Sequence, residues 1–225
     1  THKLRTTAGS HERFLVIEVF GRYAGYSALL PTMGGAANRC VIPEHHFDME
    51  RLTELLVEDR NRNPSRYSVV LVSEGAQIAG DEEMSFEGEE ADQFGHRKLG
   101  GIGDRVANAL KKLSPRYNRG RRVEVLNQRL GYLVRCGDPD ALDSIVPMAF
   151  GNLAFDLIEA GHSGRLVSVR NGRYGNVALE SISGATKTVD VEKYYDTSRL
   201  RPKFTSFSDL PLFIMTSDAQ SHMTS

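Results

Sequence analysis

Apolar and polar residues alternate in blocks along the first fifty positions, and the blocks predict a strand, a glycine turn, a helix and a second strand. Residues 13–20 are mostly apolar, rich in branched and aromatic side chains and too short for a typical helix, which predicts a buried β-strand. Residues 23–33 carry Ala, Tyr and Leu in a pattern that fits a packed helix. Residues 38–42 predict another strand, which Pro43 ends. The glycine turn at residues 21–26 therefore links the first strand to a helix.

The rest of the chain continues this alternation. Asp48 is placed to cap a helix that runs to residue 60 with three leucines on one face. The other predicted elements are a strand at 67–73, a helix at 103–113, a strand at 123–126, a long helix at 139–161, and a hairpin at 166–178 with an Asn-Gly turn. Residues 80–95 are acidic and predict an irregular surface segment. The pattern indicates a layered α/β domain with a largely parallel sheet.

Composition and charge restrict the class of protein. The chain has 225 residues, enough for one large domain or two small ones, and its 40% hydrophobic and 25% charged residues are ordinary for a globular protein. A net charge of -1 argues against bulk attraction to nucleic acid or an anionic membrane, so neither is expected as a partner. Cys40 and Cys136 are too far apart in sequence to indicate a disulfide framework, which fits a reducing cytoplasm. No apolar run approaches the roughly 18 residues that span a bilayer.

Two polar residues follow predicted strands at positions where ligands bind in α/β sheets. Arg22 lies in the glycine turn after the first strand, and Glu74 ends the strand at 67–73. In such sheets ligands sit at the carboxyl ends of the strands, and glycines let backbone N–H groups approach an anion. A planar guanidinium can bond two phosphate oxygens at once, and a carboxylate can accept hydrogen bonds from sugar hydroxyls. These residues therefore predict a crevice that binds a phosphorylated ligand.

Short motifs, met in the right order, resemble the 6-phosphofructokinase family. They are Ser-His-Glu-Arg at 10–13, Phe-Gly-Arg-Tyr-Ala-Gly at 20–25 followed by Pro-Glu at 43–44, Ser-Glu-Gly at 73–75, and Leu-Gly-Tyr-Leu-Val-Arg-Cys-Gly-Asp-Pro at 130–139. In that family the corresponding segments bind fructose 6-phosphate or the phosphoryl donor. The matches together span residues 4 to about 170.

The resemblance implies a fold and a domain organisation. The family fold is a three-layer, doubly wound α/β structure with a largely parallel sheet, here followed by a C-terminal hairpin and tail. Residues 1–162 would form the fructose-6-phosphate-binding domain, residues 163–220 the hairpin and tail that in the family return to the other domain, and residues 221–225 a terminal tail. Residues 1–5 read as the middle of a helix, which suggests a truncated chain. The donor-binding half, with its catalytic base, would precede them, so neither a catalytic residue nor a metal ligand is expected in this chain.

The resemblance also implies which residues bind substrate. They are Arg13, Phe20, Gly21, Glu74, Tyr132 and Arg135 for fructose 6-phosphate, and Arg22 for the transferred phosphoryl group. Arg13 and Arg135 would grip the 6-phosphate, and in the family the arginine that matches Arg13 reaches into a neighbouring subunit. A homo-oligomer (dimer or tetramer) is therefore expected. The donor would be ATP or pyrophosphate with Mg²⁺, and the enzyme would be a cytoplasmic, glycolytic phosphotransferase.

The chain departs from the family pattern at two of these positions. Tyr132 stands where the family usually has histidine, and Phe20 where it has methionine. A phenol still donates a hydrogen bond but carries no charge near neutral pH, and a tyrosine here leans towards the pyrophosphate-dependent members. A rival interpretation is a non-catalytic sugar-phosphate-binding subunit or regulatory domain that needs a partner chain for turnover. A dinucleotide-binding dehydrogenase is disfavoured, because no Gly-x-Gly-x-x-Gly follows the first strand.

Four further patterns are interpreted as structural. Thr-Val-Asp at 188–190 resembles part of a catalytic segment of the family but lacks its second aspartate. Adjacent histidines in a loop seldom converge on one metal ion, so residues 44–48 predict a loop. The glycines at 101 and 103 predict a simple helix start, because Asp104 brings negative charge there. The arginines between 116 and 122 predict a solvated loop rather than a contact with nucleic acid.

Overall fold

This computed structural model describes residues 1–81, 86–91, 97–99, 101–170, 172–182 and 187–204. For residues 86–91 and 97–99 it describes the backbone alone. The helices are α1 (His2–Ser10), α2 (Tyr26–Met33), α3 (Met49–Arg62), α4 (Ile102–Tyr117), α5 (Ala141–Glu159) and α6 (Val191–Tyr194). The strands are β1 (Phe14–Val19), β2 (Arg39–Val41), β3 (Ser68–Ser73), β4 (Phe86–Ala91), β5 (Arg97–Leu99), β6 (Val125–Arg129), β7 (Arg165–Arg170), β8 (Arg173–Ala178), β9 (Tyr195–Asp196) and β10 (Arg201–Pro202). Two 3₁₀ turns lie at Gly131–Arg135 and Leu179–Ile182.

A four-stranded parallel sheet in the order β2-β3-β1-β6 forms the centre of the first half of the chain. Every residue of β1 and of β3 is buried. This explains their nearly continuous apolar sequences, because a parallel strand covered on both faces has no solvent-facing positions to alternate with. The predicted α/β class with a largely parallel sheet is confirmed.

Helices flank this sheet. The helix α2 packs on β2 and β3, whereas α3 and α4 pack on each other and on β3, β1 and β6. Asp48 caps α3 as predicted, since its carboxylate accepts hydrogen bonds from the backbone N–H groups of Glu50 (2.7 Å) and Arg51 (3.0 Å). Leu52 and Leu56 of α3 are completely buried, which anchors the helix through its apolar face.

Contacts divide the chain into two compact units. The first is Thr1–Arg135 together with Lys187–Phe204, which we call the returning segment. This segment adds α6 and the β9–β10 pair, and the Cys40 N–H donates to the Leu200 carbonyl (2.9 Å) while the Tyr195 hydroxyl donates to the Cys40 carbonyl (2.7 Å). The assignment of residues 1–162 and 163–220 to different domains of a complete protein stays a prediction.

The second unit comprises Cys136–Thr186 and Thr205–Ser225, and its described part contains α5 and the predicted β7–β8 hairpin. The rings of Phe150 on α5 and Tyr174 on β8 meet edge to face at 6.1 Å. By length and composition alone, α5 could cross a membrane, although two aspartates interrupt its apolar sequence. This is weak evidence, and none of the helix is buried.

Several predicted boundaries differ from the structure for identifiable reasons. The helix predicted from residue 23 begins at Tyr26, because the glycine loop continues to Gly25. The strand predicted at 123–126 lies at Val125–Arg129, because its pairing with β1 continues to the Glu18–Arg129 position. Residues 86–91 form β4 where an irregular segment is predicted, so that prediction is wrong there.

Candidate functional site

The carboxyl ends of β1 and β3 lie side by side because the two strands are parallel neighbours. Val19 and Ser73 are partners at the last position of the pairing. The loops that follow are joined by two backbone hydrogen bonds, from the N–H of Glu74 to the Val19 carbonyl (2.9 Å) and from the N–H of Gly75 to the Gly21 carbonyl (3.0 Å). This is the edge at which α/β sheets bind ligands.

Two glycines permit this close approach of the loops. A Cβ atom at Gly75 would lie 1.9 Å from the carbonyl oxygen of Arg22, which is far inside van der Waals contact. Gly21 has a φ of 144°, and a Cβ atom there would lie 2.8 Å from the carbonyl oxygen of Ala24. Glycine at position 75 therefore lets the two loops lie against each other, and glycine at position 21 permits the tight turn of the loop after β1.

Glu74 lies half-buried at this edge, with its carboxylate fixed by the loop after β1. Burial raises the pKa of the Glu74 carboxyl, while a hydrogen bond from the backbone N–H of Gly21 and the positive charges of Arg22 and Arg135 oppose that rise. The hydroxyl of Ser73 is buried beside it and has no hydrogen-bond partner among the described residues. The edge therefore offers an oriented carboxylate to a polar ligand.

Two aromatic rings, those of Phe20 and Tyr132, and the guanidinium of Arg135 form a cluster beside the Glu74 carboxylate. The Arg135 guanidinium carbon lies 4.5 Å from the centroid of the Phe20 ring, and the Tyr132 ring meets Phe20 edge to face at 5.6 Å. Tyr132 is 75% exposed. A guanidinium stacked by its face keeps its N–H donors in the plane of the group, where they can form paired hydrogen bonds with an anion.

Arg22 completes the positive side of the edge. It follows Gly21 directly, it acts electrostatically on Glu74, and its guanidinium carbon lies 5.9 Å from the Tyr23 ring centroid. The residues predicted from the glycine turn, the Glu74 strand and the 130–139 motif thus lie around one edge of the sheet. This arrangement can bind a phosphorylated polyol, with cations for the phosphate and a carboxylate for the hydroxyls.

Arg13 lies elsewhere. It precedes β1, so it stands at the amino end of the strand whose carboxyl end carries Phe20 and Gly21. Six strand residues at about 3.3 Å each separate the two ends by about 20 Å. The structure therefore does not bring Arg13 together with Arg135 within one chain.

Sequence reasoning missed a polar network that links β1, β6 and the start of α4. Glu18 is 4% exposed, accepts a hydrogen bond from the N–H of Gly103 at the start of α4 (2.7 Å), and forms an ion pair with Arg129 (3.2 Å). Arg129 also pairs with Asp104 (3.2 Å). The signal was present, because Glu18 is the one acid in an otherwise apolar strand sequence. The glycines at 101 and 103 thus lie at the start of α4, where the carboxylate of Glu18 accepts a backbone hydrogen bond.

Glu44 has a similar structural role. Its carboxylate accepts hydrogen bonds from the N–H of Gly25 (3.0 and 3.1 Å) and from the N–H of Val189 (2.7 Å). It therefore joins the loop after β1 to the returning segment. These hydrogen bonds give Glu44, the acid of the Pro-Glu motif at 43–44, a structural role.

The remaining patterns have structural partners. Asp190 caps α6 through the N–H of Lys193 (3.0 Å), Arg116 pairs with Glu50, and Arg122 pairs with Glu124 (3.3 Å). Among the residues that the structure describes, no group of three or more histidine, cysteine, aspartate or glutamate side chains is placed to hold a metal ion.

The chain is a parallel α/β protein with cationic side chains and a carboxylate at one strand-end edge, and comparison with known proteins gives its family. The chain belongs to the phosphofructokinase family, because the family model for phosphofructokinase matches residues 1–158. It is 35% identical over 194 residues to a pyrophosphate–fructose 6-phosphate 1-phosphotransferase of Amycolatopsis mediterranei, covering 86% of this chain and 54% of that protein. It is also 35% identical over 196 residues to an ATP-dependent 6-phosphofructokinase of Mycobacterium bovis, covering 87% of this chain and 54% of that protein.

Solved structures agree on the fold. A pyrophosphate-dependent phosphofructokinase from Marinobacter aquaeolei superposes with a TM-score of 0.66 at 20% identity, over 90% of this chain and 49% of that one. The phosphofructokinase of Saccharomyces cerevisiae gives a TM-score of 0.61 at 23% identity, over 81% of this chain and 22% of that one. The chain spans about half the length of the curated relatives it matches.

Proposed function

We propose that this chain is the fructose-6-phosphate-binding portion of a cytoplasmic 6-phosphofructokinase, which transfers a phosphoryl group from ATP or pyrophosphate to the sugar's 1-hydroxyl. The observation that carries the proposal is the arrangement of Glu74, Arg22 and the stacked Arg135 around one sheet edge, with the Glu74 carboxylate held by Gly21. The family membership and the activities of the named relatives support it.

Each residue has a proposed role that follows from its chemistry. Arg135 binds the 6-phosphate through its in-plane N–H groups, and Tyr132 donates a further hydrogen bond. Glu74 accepts hydrogen bonds from the sugar hydroxyls, and Gly21 keeps its carboxylate in position. Arg22 neutralises charge on the transferred group, since phosphoryl transfer is catalysed chiefly by positioning and charge stabilisation.

Mg²⁺ would enter with the phosphoryl donor. Among the described residues, no group of three or more histidine, cysteine, aspartate or glutamate side chains is placed to hold the ion. The catalytic base is likewise expected outside this chain, so the 225-residue protein alone should show no turnover with either donor. An aldolase-coupled assay that detects turnover by the homogeneous chain would contradict this expectation.

The same assay distinguishes the rival interpretation. Sugar-phosphate binding without turnover, and no gain in activity when a donor-binding half is added, would favour the non-catalytic subunit.

Binding experiments on two variants test the assigned roles. Arg135→Lys keeps the charge but loses the planar fork, so fructose 6-phosphate affinity should fall by about 1–3 kcal/mol while fructose binding scarcely changes. Glu74→Gln should weaken both sugars but leave inorganic phosphate binding intact or slightly tighter, because a nearby negative charge is removed. Arg173→Lys, on the exposed start of β8, serves as the matched control. Calorimetric titrations in which Arg135→Lys binds fructose 6-phosphate as wild type does would show the assignment to be wrong.

We also propose that the complete enzyme is a homo-oligomer in which Arg13 serves a neighbouring subunit. The position of Arg13 at the amino end of β1 supports this, because its own chain's site lies at the other end. Mixed dimers of Arg13→Gln and Arg135→Gln chains should contain one intact site, formed by Arg135 of one chain and Arg13 of the other. Purified mixed dimers should therefore regain one site of wild-type affinity, whereas failure to regain it would refute the shared site.

A further inference from the structure

The loop after β1, residues 20–25, is held by a carboxylate at each of its ends. Near its start, the backbone N–H of Gly21 donates a hydrogen bond to the carboxylate of Glu74. At its other end, both carboxylate oxygens of Glu44 accept from the N–H of Gly25, at 3.0 and 3.1 Å. Glu74 belongs to the candidate site, whereas Glu44 follows β2 and lies outside that site. One end of the loop is therefore fixed by a residue to which the site gives no role.

The returning segment binds the same end of the loop through two hydrogen bonds. The Glu44 carboxylate also accepts from the N–H of Val189 (2.7 Å), and the hydroxyl of Tyr26, which directly follows the loop, donates to the carbonyl of Thr188 (2.8 Å). Tyr26 and Val189 are both buried. The Thr-Val-Asp pattern at 188–190 therefore lies against the loop, and we call Glu44, Tyr26, Thr188 and Val189 the clasp.

Gly25 lets the clasp close tightly around the loop. A Cβ atom at this position would lie 2.4 Å from the side chain of Ile42, which is completely buried, and 3.0 Å from the Oε2 atom of Glu44. The Glu44 carboxylate also lies at the amino end of α2, where the helix dipole favours a negative charge. Movement of this end of the loop would therefore break the contact with Ile42 as well as the hydrogen bonds of the clasp.

Two groups of the candidate site, the Gly21 N–H and the Arg22 guanidinium, belong to the loop that the clasp holds. Arg22 lies between Gly21 and Gly25 and acts electrostatically on Glu74. A ligand-binding group gains affinity when it is held in its bound geometry beforehand, because less conformational freedom is lost on binding. Fixing the loop at Gly25 therefore favours ligand binding at its other end.

We propose that Glu44 and Tyr26 are positioning residues of the sugar-phosphate site, through which the returning segment holds the loop after β1 in its binding geometry. Both act through the loop, because their hydrogen bonds go to backbone groups of this chain rather than to the ligand edge. The inference rests on the proposed function, since it concerns the affinity of that same site. The returning segment thereby takes part in ligand binding without supplying a ligand-binding side chain.

Tyrosine variants separate this positioning effect from a loss of stability. Tyr26→Phe removes one hydroxyl of the clasp, so fructose 6-phosphate should bind about two- to fivefold more weakly, the effect of one neutral hydrogen bond. Tyr195→Phe is the matched control, because it removes a hydrogen bond of similar length (2.7 Å) from the returning segment to Cys40, which lies in β2 and not in the loop. Both variants should lower the urea midpoint of unfolding, but only Tyr26→Phe should lower the affinity measured by calorimetry. Equal affinity losses in the two variants, or none in Tyr26→Phe, would overturn the proposal.

The ionisation of Glu74 provides a second measurement, which needs no ligand. Glu44→Gln keeps the size of the side chain but puts an amide NH₂ group among the N–H donors of the clasp, so the loop should loosen and the hydrogen bond from Gly21 to Glu74 should weaken. The pKa of Glu74, followed by carbon NMR of its carboxyl group, should then rise, whereas simple removal of a negative charge at position 44 would lower it. An unchanged or lowered pKa would refute the proposal.

A second carboxylate of the returning segment supplies the control for this measurement. Asp196 accepts hydrogen bonds from the backbone N–H groups of Ser198 and Arg199, so Asp196→Asn perturbs a similar group outside the clasp and should leave the pKa of Glu74 unchanged. A rise as large as that in Glu44→Gln would overturn the proposal.

Failure of this inference and failure of the proposed function give different results. If the wild-type chain binds no fructose 6-phosphate, the proposed function is wrong, whereas the pKa of Glu74 in the ligand-free protein still decides whether Glu44 positions the loop. If the wild-type chain binds it, Glu44→Gln should weaken that binding about tenfold, because a charged hydrogen bond is lost from the clasp. Wild-type affinity in Glu44→Gln would refute the positioning role and leave the proposed function standing.

Discussion

The contact between Phe20 and Arg135 predicts that an aromatic ring, rather than the methionine usual in the family, helps to orient the guanidinium that we propose binds the 6-phosphate. The guanidinium carbon lies 4.5 Å from the ring centroid. A cation–aromatic contact at an exposed site contributes about 0.5–1 kcal/mol. Phe20→Leu removes the ring but keeps an apolar side chain. If that energy serves to orient Arg135, fructose 6-phosphate should bind about two- to fivefold more weakly to the variant.

A double-mutant cycle separates this indirect effect from a direct one. Arg135→Gln removes the cation, so Phe20→Leu should cost almost nothing more in the Arg135→Gln background. The coupling energy should therefore be about 0.5–1 kcal/mol, which calorimetry of the four proteins can resolve. Phe204→Leu removes another exposed ring that lies under an arginine, 5.7 Å from Arg201, and should leave fructose 6-phosphate binding unchanged.

The cycle can fail in an informative way. If Phe20→Leu weakens binding equally in the presence and absence of Arg135, the coupling energy is zero and the ring acts on the substrate or on the glycine loop. Urea denaturation of each variant gives the control for stability, since a change in the free energy of unfolding would signal damage to the fold. A zero coupling energy among equally stable variants would refute the orienting role of Phe20.

Three further predictions concern stability and reactivity. Gly75→Ala should destabilise the chain by about 1–3 kcal/mol, because its methyl group would overlap a backbone carbonyl, whereas Gly34→Ala, whose nearest contact is 3.6 Å, should unfold near the wild-type urea midpoint. Burial raises the pKa of Cys40 to about 12, so with thiol reagents at pH 8 only the exposed Cys136 should react quickly, and two fast thiols in the native chain would contradict this. The raised pKa of Glu74 means that its contribution to stability is present below the ordinary carboxyl pKa and is lost as pH rises through the folded-state value. Glu74→Gln should flatten that part of the stability–pH profile, and an unchanged slope would argue against it.

Most of the central sheet could be predicted because local pattern and tertiary context agree there. The sequences of β1 and β3 are mostly apolar, and burial on both faces is what such runs require. The returning segment could not be predicted in the same way. Its elements α6, β9 and β10 have two to four residues each, and they are held by long-range hydrogen bonds such as that from the Tyr195 hydroxyl to Cys40. No local periodicity records a partner 155 residues away.

The candidate site likewise has features that could be predicted from the sequence and features that could not. Arg22 and Glu74 could be placed at a ligand-binding edge from sequence, because the carboxyl ends of parallel strands converge. The hydrogen bond from the Gly21 N–H to the Glu74 carboxylate could not, since it depends on how closely two loops approach. The stack of Arg135 on Phe20 likewise joins segments more than a hundred positions apart in the sequence.

Arg13 shows why membership of a motif is not the same as membership of a site. Its motif lies directly before β1 and that of Gly21 directly after it, so the two are close in sequence. A strand, however, is the most extended way to connect two residues, and six residues of β1 hold the two motifs about 20 Å apart. Two motifs that flank a buried strand can serve one small ligand only if a second copy of the chain supplies one of them. The six residues of β1, which separate Arg13 from Gly21, therefore support the proposal that Arg13 serves a neighbouring subunit.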